Sequence, residues 1–425
     1  VQAVSANDEL PDLTGADWLT AGPTQAVFAA LRHGGHEARA VGGVVRNALM
    51  GLPVTDIDIA TTALPDEVVR LAQSAGLGVV ATGLKHGTVT VIAEHHPFEV
   101  TTLRTDVESH GRHATVAFTS DWEGDARRRD FTINALYCGP DGKVWDPIGG
   151  YADLVARRVR FIGDAGTRIR EDYLRILRFF RFTATYALGG PDPDGLGAVV
   201  RERDGLRQLS AERVRQELVR IVVAPRAGEA IAWMSEHGIL ASVFAAAPRP
   251  TLFARLIEIE MAEAEQIGAS ADAALRLAAL GVETEEDAIR LAGCLRLSGE
   301  ERHVLSLSAR AEAHLEKPPT EQYARRLLYV EGVDDYERLM KLSWARCLGS
   351  EMSEADWQAA MRLPRNWRAP VLPIKGADVL ALGVPAGPRV GEIMRLIEGW
   401  WIETDFTAGR DAVLQRARDV IGGTV

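Results

Sequence analysis

Ala38-Arg39-Ala40-Val41-Gly42-Gly43-Val44-Val45-Arg46-Asn47-Ala48-Leu49-Met50-Gly51-Leu52-Pro53-Val54-Thr55-Asp56-Ile57-Asp58-Ile59-Ala60 is the stretch that decides the fold of this chain. A short apolar strand runs into Gly42-Gly43. A helical turn carrying Arg46 follows, and Pro53 and Thr55 lead into a second strand bearing Asp56 and Asp58. Strand side chains alternate faces, so the two aspartates project together while Ile57 and Ile59 enter the core. Adjacent carboxylates repel unless a cation sits between them. Oxygen-only ligands suit magnesium, which is held by one or two carboxylates plus substrate phosphates. The glycines let backbone approach a phosphate, and the helix start behind them favours negative charge. Phosphate, magnesium and arginine together point to phosphoryl or nucleotidyl transfer. A Gly-Gly pair alone is a turn, and an Asp-x-Asp alone is a solvated strand edge. Their union in one strand–turn–helix–strand unit is what suggests a site.

The totals bound the remaining possibilities. A chain of 425 residues implies two or more domains. Its 47% hydrophobic and 25% charged residues are ordinary for a soluble globular protein. Three scattered cysteines, Cys138, Cys294 and Cys347, lack metal-ligand spacing and fit a reducing, cytoplasmic compartment. The first dozen residues do not read as a signal peptide, and no apolar run spans a bilayer. A net charge of −11 argues against a simple nucleic-acid-binding domain, which is normally basic. Charge is nevertheless unevenly spread. Eight arginines between Arg157 and Arg181 face only Asp164, Glu171 and Asp172. Such a stripe, which includes Arg178 and Arg181, suits a polyanion-binding groove.

Along the chain, a helix is expected from about Ala16 to His33 and another from Leu64 to Gln73. Strands are expected at Gly78–Ala81, Gly87–Ala93 and Phe98–Leu103, the last carrying Glu99, a possible third carboxylate. Thr105–Gly124, with Gly111, Arg112 and His113, reads as a long mobile loop. Arg127-Arg128-Arg129-Asp130 offers cations for phosphate and ribose. Val159–Ile162 reads as the last strand, and Thr167–Tyr186 as one long helix that sets Asp172 and Arg175 three residues apart on one face. Helices fill the rest, interrupted by a proline-containing linker at Leu363–Pro373.

Five blocks in order resemble the class II CCA-adding enzymes, tRNA nucleotidyltransferases of the polymerase β-like superfamily whose bacterial branch includes poly(A) polymerases. They are Gly42-Gly43-Val44-Val45-Arg46 with Asp56-Ile57-Asp58, then Arg128-Arg129-Asp130, then Asp146-Pro147-Ile148-Gly149-Gly150 with Asp153-Leu154. Glu171-Asp172-Tyr173-Leu174-Arg175 and Glu212-Arg213-Val214-Arg215-Gln216-Glu217-Leu218 complete the set. The blocks cover about Ala38 to Leu218, and Pro373–Trp401 is similar to C-terminal segments of bacterial members.

The resemblance implies an α+β protein: a nucleotidyltransferase head with a small mixed sheet (20–150), then an all-helical neck (151–222), body (223–305) and tail (306–425), the body and tail gripping tRNA. It implies that Asp56 and Asp58 hold two Mg2+ ions, with Glu99 as an additional carboxylate. Gly42, Gly43 and Arg46 would contact the triphosphate, and Arg129 and Asp130 the ribose. Asp172 and Arg175, oriented by Glu171, would pair with the edge of CTP or ATP, and Arg178 and Arg181 would face RNA. Cytosine and adenine share an exocyclic amine donor beside a ring-nitrogen acceptor, whereas guanine and uracil reverse that order. One Asp–Arg edge could therefore accept the first two bases and reject the others. Asn47 departs from the family, which places Asp after the arginine of the first block. Full CCA addition, a poly(A) polymerase, a CC-only or A-only enzyme, and an inactive RNA-binding relative all stay open.

Overall fold

The computed structural model describes residues 10–84, 87–110, 113–244, 247–267, 271–347 and 354–423. Two compact units divide the chain, the first ending at Val243 and the second starting at Phe244.

The first unit is built on a mixed sheet. Its strands are β1 (Ala38–Val41), β2 (Ile57–Thr61), β3 (Gly78–Gly83), β4 (Thr88–Ala93), β5 (His96–Thr102), β8 (Tyr137–Cys138) and β9 (Val144–Trp145), in the order β3-β4-β5-β2-β1-β8-β9. Strand β2 pairs antiparallel with β1 and parallel with β5. The parallel pair requires a crossover, which α4 (Pro65–Ser74), β3 and β4 supply. Before the sheet come α1 (Asp17–Thr20) and α2 (Gly22–His33), which replace the single helix expected there. Pro23 and Pro65 stand in first turns, where a missing N–H costs nothing. Helices α2 and α4 pack on one face of the sheet. On the other face Val41, Ala60, Leu103, Ala126, Ala135 and Tyr137 form a buried cluster. Ala60 shares its face with Asp58, so this second face carries the site.

Three expectations are corrected. The stretch taken as a mobile loop forms a two-stranded hairpin, β6 (Arg104–His110) with β7 (His113–Phe118), followed by α5 (Trp122–Arg127); Gly111 and Arg112 lie outside the described residues. Val159–Ile162 is not a strand: Phe161 makes one isolated bridge to Phe131, because aromatic packing rather than a ladder holds it. The long helix is broken. After α3 (Gly43–Leu49) and α6 (Gly150–Val155), the stretch folds as two helices, α7 (Ala165–Glu171) and α8 (Leu174–Tyr186). Asp172 between these two is extended, with φ −156° and ψ 105°.

Helices α9 (Pro193–Glu202) and α10 (Ala211–Val222) complete the region, joined by a short 3-10 helix at Arg203–Gln208. An aromatic core joins α8 to the sheet side: Phe131 lies 5.0 Å from Phe161, 5.0 Å from Phe182 and 6.3 Å from Phe179 between ring centroids. The second unit is helical throughout its described residues. It holds two cores, one from Leu252 to Leu363 and one from Ile374 to Ala417; the linker expected from Leu363 begins later, because Glu354–Asn366 is helical with Pro364 inside the helix.

Phe131→Ala removes a fully buried ring from the aromatic core. The expected cost is about 3–5 kcal/mol, read as a lower midpoint in urea unfolding of the intact chain.

Candidate active site

Gly42 caps α3 with φ +74°, a conformation that a side chain strains. A Cβ built at Gly42 would lie 3.7 Å from Arg129 Nη1, so the glycine turn and the Arg129 guanidinium adjoin. Strand β2 begins at Ile57, which leaves Asp56 exposed just before it and Asp58 as its second residue. Register sets Asp58 beside Glu99 of β5. Burial, then Glu99, pushes the Asp58 carboxyl up to about 6; Asp56 adds to the rise and Arg129 opposes it. These carboxylates therefore repel one another as the sequence pattern requires, and a cation relieves the repulsion. Among the described residues no three acidic, histidine or cysteine side chains close into a cage. The donor set is two aspartates with Glu99 exposed alongside. Such an open oxygen site fits a hard divalent ion that shares its remaining positions with phosphate and water.

Asp125, in the last turn of α5 and only 1% exposed, holds the arginine block in place. It accepts from Arg128 Nε at 2.8 Å, Arg129 Nη2 at 3.0 Å and the Tyr137 hydroxyl at 2.8 Å. The spacing Asp125, Arg128, Arg129 is the helical i, i+3, i+4 pattern, a signal present in the sequence but masked by the run of arginines. Asp130 takes the other role. Burial raises its pKa, but Arg178, whose Nε and Nη2 both donate to Oδ2 at 2.8 and 2.5 Å, and Asn134, whose Nδ2 donates to Oδ1 at 3.0 Å, outweigh burial and hold it down at about 2. Arg178, expected on RNA, is thus committed to Asp130. Arg181 likewise forms an ion pair with Glu217 at 2.7 Å and lies over the Phe182 ring.

Arg168 ties the two halves of the site. Its Nη2 donates to the Arg129 carbonyl at 2.7 Å and to the Arg128 carbonyl, and its Nη1 pairs with Glu171. Glu171 also pairs with Arg175, whose Nη1 donates to the Arg168 carbonyl at 2.6 Å. Asp172 does not pair with Arg175 as one helix face would require, because the chain is extended at Asp172. Its carboxylate accepts instead from Arg213 of α10, at 3.1 and 2.7 Å, and from the Leu174 amide at 3.1 Å. The third block is a joint: Asp153, 1% exposed, accepts from Thr132, Arg158 and Arg160.

Residues 38–160 match the model of the poly A polymerase head domain, and residues 191–251 match that of the probable RNA and SrmB-binding site of polymerase A. The human mitochondrial CCA tRNA nucleotidyltransferase 1 is 33% identical over 390 residues, covering 89% of this chain and 86% of the relative. The chain belongs to the CCA-adding enzyme family. The CCA-adding enzyme of Geobacillus stearothermophilus is 32% identical, with 86% and 89% covered. A crystal structure of the Bacillus stearothermophilus CCA-adding enzyme in complex with CTP superposes with a TM-score of 0.73 at 26% identity, covering 95% of this chain and 99% of that one. Membership in this nucleotidyltransferase family carries a requirement for a divalent metal.

Against the family pattern, Arg46 and Asn47 stand out. Arg46, expected at the triphosphate, is 6% exposed and engaged within the protein. Its Nη2 donates to Asn47 Oδ1 at 2.8 Å and to the Tyr186 hydroxyl at 2.6 Å, and its Nη1 donates to Asn134 Oδ1. The guanidinium also lies 3.9 Å over the Tyr186 ring. Asn47 accepts from Arg46 while its Nδ2 donates to the Pro53 carbonyl at 2.9 Å. An aspartate could accept from Arg46 but could not donate to Pro53. Asn47, where this chain departs from the family pattern, therefore gains a tie to the loop that delivers Asp56. Neither Tyr186 nor Asn134 carried a signal in the sequence, because 140 and 88 residues separate them from Arg46.

Asn47→Asp keeps the Arg46 contact and turns a carboxylate on the Pro53 carbonyl. It is expected to cost about 1–3 kcal/mol in urea unfolding despite restoring the family residue. Asp130 supplies stability that is present above its unfolded pKa near 3.8 and lost as pH falls through about 2. Unfolding free energies between pH 6 and 2 should fall less steeply for Asp130→Asn than for the unaltered chain.

Proposed function

We propose that this chain adds CCA to tRNA 3′ ends, using CTP and ATP, without a nucleic-acid template and with release of pyrophosphate. One observation carries the reading: the Arg128–Asp130 turn touches both functional halves. Arg129 adjoins Gly42 and acts on Asp58, while the same turn accepts Arg168 and, through Asp130, Arg178 of α8. Carboxylates for a metal and the Asp172–Arg175 region are thereby joined through one short segment. The family's named relatives act in tRNA nucleotidyl transfer, and the superposed crystal structure holds CTP, which supports the same substrates here.

Asp56 and Asp58 would hold Mg2+, with Glu99 alongside. The ion would supply charge neutralisation on the triphosphate and a lower pKa for the attacking hydroxyl. The chain's own groups do the positioning. Gly42 and Gly43 admit the phosphates to the start of α3, and Arg129 presents fixed positive charge beside them. Asp130, kept ionised by Arg178, accepts from the sugar hydroxyls and so favours a ribonucleotide. Arg175 donates to a base and Asp172 accepts from its exocyclic amine. Arg213 holds the Asp172 carboxylate ready, and Glu171 orients Arg175. The later helices would grip the tRNA. Cys138, Cys294 and Cys347, which form no disulfide among the described residues, fit a cytoplasmic site of action; among the described residues no helix is long and apolar enough to cross a membrane.

Purified chain, Mg2+ and a tRNA lacking its last three nucleotides test this directly. CTP alone should extend the RNA by two residues, and CTP with ATP by three. Long A tracts would instead mark a poly(A) polymerase, and a halt after CC or addition of A alone a split activity. Asp56→Ala should lower incorporation by about 10³-fold or more, since it removes charge stabilisation worth several kcal/mol. Unchanged incorporation by that variant would overturn the metal assignment.

A further inference from the structure

Gly205 lies buried in the 3-10 helix Arg203–Gln208, outside the five sequence blocks and seven residues before the fifth. A Cβ there would stand 2.0 Å from Tyr173 Cδ1 and Cε1 and 2.5 Å from Cγ. Those atoms include the root of a rigid ring, so the ring cannot swing a flexible end aside. Nothing else demands glycine, because Gly205 is not among the residues with positive φ. The absence of a side chain is what seats the Tyr173 ring flat against this backbone.

Tyr173 is the residue between extended Asp172 and the first residue of α8. It is therefore the pivot of the break between α7 and α8. Asp172 is fixed on its other side by the two Arg213 contacts. Leu209 and Ser210 lead directly from the 3-10 helix into α10, which bears Arg213. A segment of nine residues, Gly205 to Arg213, thus supplies both a seat for the pivot ring and a cation for the neighbouring carboxylate. Arg175 follows two residues after the pivot, and its amide donates to the Asp172 carbonyl at 3.0 Å. Moving the ring moves the peptides on both sides, and so the spacing of the Asp172 and Arg175 side chains.

We infer that Gly205 and Tyr173 are positioning residues for base selection, the flat contact between them setting the distance between Asp172 and Arg175. This rests on the reading of Asp172 and Arg175 as the base-pairing edge. A site built to hydrogen-bond one base edge rejects another because mismatched polar groups stay unpaired, and small displacements erode that difference first.

The test compares kcat/KM for CTP against UTP on a tRNA lacking its last three nucleotides. A fraction of misfolded protein lowers both values equally and leaves their ratio unchanged, so the ratio reports positioning. Gly205→Ala should reduce the CTP preference by about tenfold or more. Tyr173→Ala should also reduce it, and adding Gly205→Ala to Tyr173→Ala should change the ratio by less than about twofold, since the ring that clashes is gone. An unchanged ratio in Gly205→Ala overturns the inference. So does an equal further loss when Gly205→Ala is placed on Tyr173→Ala, the comparison that stands even where the single Gly205 variant yields little folded protein. Asp172→Ala separates the two readings. If it lowers the CTP preference while Gly205→Ala does not, only the positioning role falls. If it leaves the preference intact, the base-pairing edge itself is wrong, and any effect at Gly205 arises elsewhere.

Discussion

The ion pair between Asp130 and Arg178 is the constraint on which the first unit depends. It joins a turn that leaves the sheet to α8 of the helical region, with Asp130 largely and Arg178 partly shielded from water. A partly buried pair of this kind adds little net stability over an apolar contact, but losing one partner leaves the other charge without its counter-ion. Its value is in what it fixes. Asp130 also accepts from Asn134, which accepts from Arg46, which in turn pairs with Asn47 and Tyr186. Arg178 approaches Glu217, which pairs with Arg181. One polar chain thus runs from the loop before Asp56 through to α10. Its hydrogen-bonded part, from Asn47 through Arg46, Asn134 and Asp130 to Arg178, specifies a single arrangement because a shift there leaves a buried group unpaired; the Arg181–Glu217 end is held as an ion pair, with Arg181 Nε and Glu217 Oε2 making no hydrogen bond among the described residues.

This network also changes the meaning of the basic stripe. Eight arginines in 25 residues look like a surface for RNA. Four of them point inward: Arg168 to Glu171 and two carbonyls, Arg175 to Glu171, Arg178 to Asp130 and Arg181 to Glu217. Guanidinium suits this use because its several donors can serve a carboxylate and a carbonyl at once, as in Arg168 and Arg175, and its charge persists when partly desolvated. These four are already engaged within the protein, so the stripe presents less unpaired charge than its residue count suggests.

The interruption at Asp172 illustrates a second point. Continuous helix would have been compatible with the apolar pattern from Ile169 to Phe182, which fits helical spacing on both sides of the break. Extended backbone at one residue turns the Asp172 carboxylate toward Arg213 and away from the face of Arg175. The Asp172 and Arg175 side chains then project from different elements, each with its own support. A break of this sort allows the pair to be set independently, which a rigid i, i+3 spacing would not.

Much of this was legible in the sequence. The Gly-Gly turn, the alternation of Asp56 and Asp58 with Ile57 and Ile59, the strands around Val89 and Val100, and most helix positions follow from local period and turn chemistry, which act over a few residues. The order of five blocks was enough to identify the family. Tertiary structure alone decided which charges meet. Glu99 reaches Asp58 only through a parallel register 41 residues away in the chain. Arg213 takes Asp172, Tyr186 takes Arg46 and Tyr173 lies against Gly205, none of which has a local signature. The hairpin at Arg104–Phe118 was missed because its polar composition resembles a loop and its pairing is internal to itself. Sequence fixes which faces are apolar and where the chain can turn; the partners of buried polar groups are set by packing, since every such group must find one wherever the fold brings it.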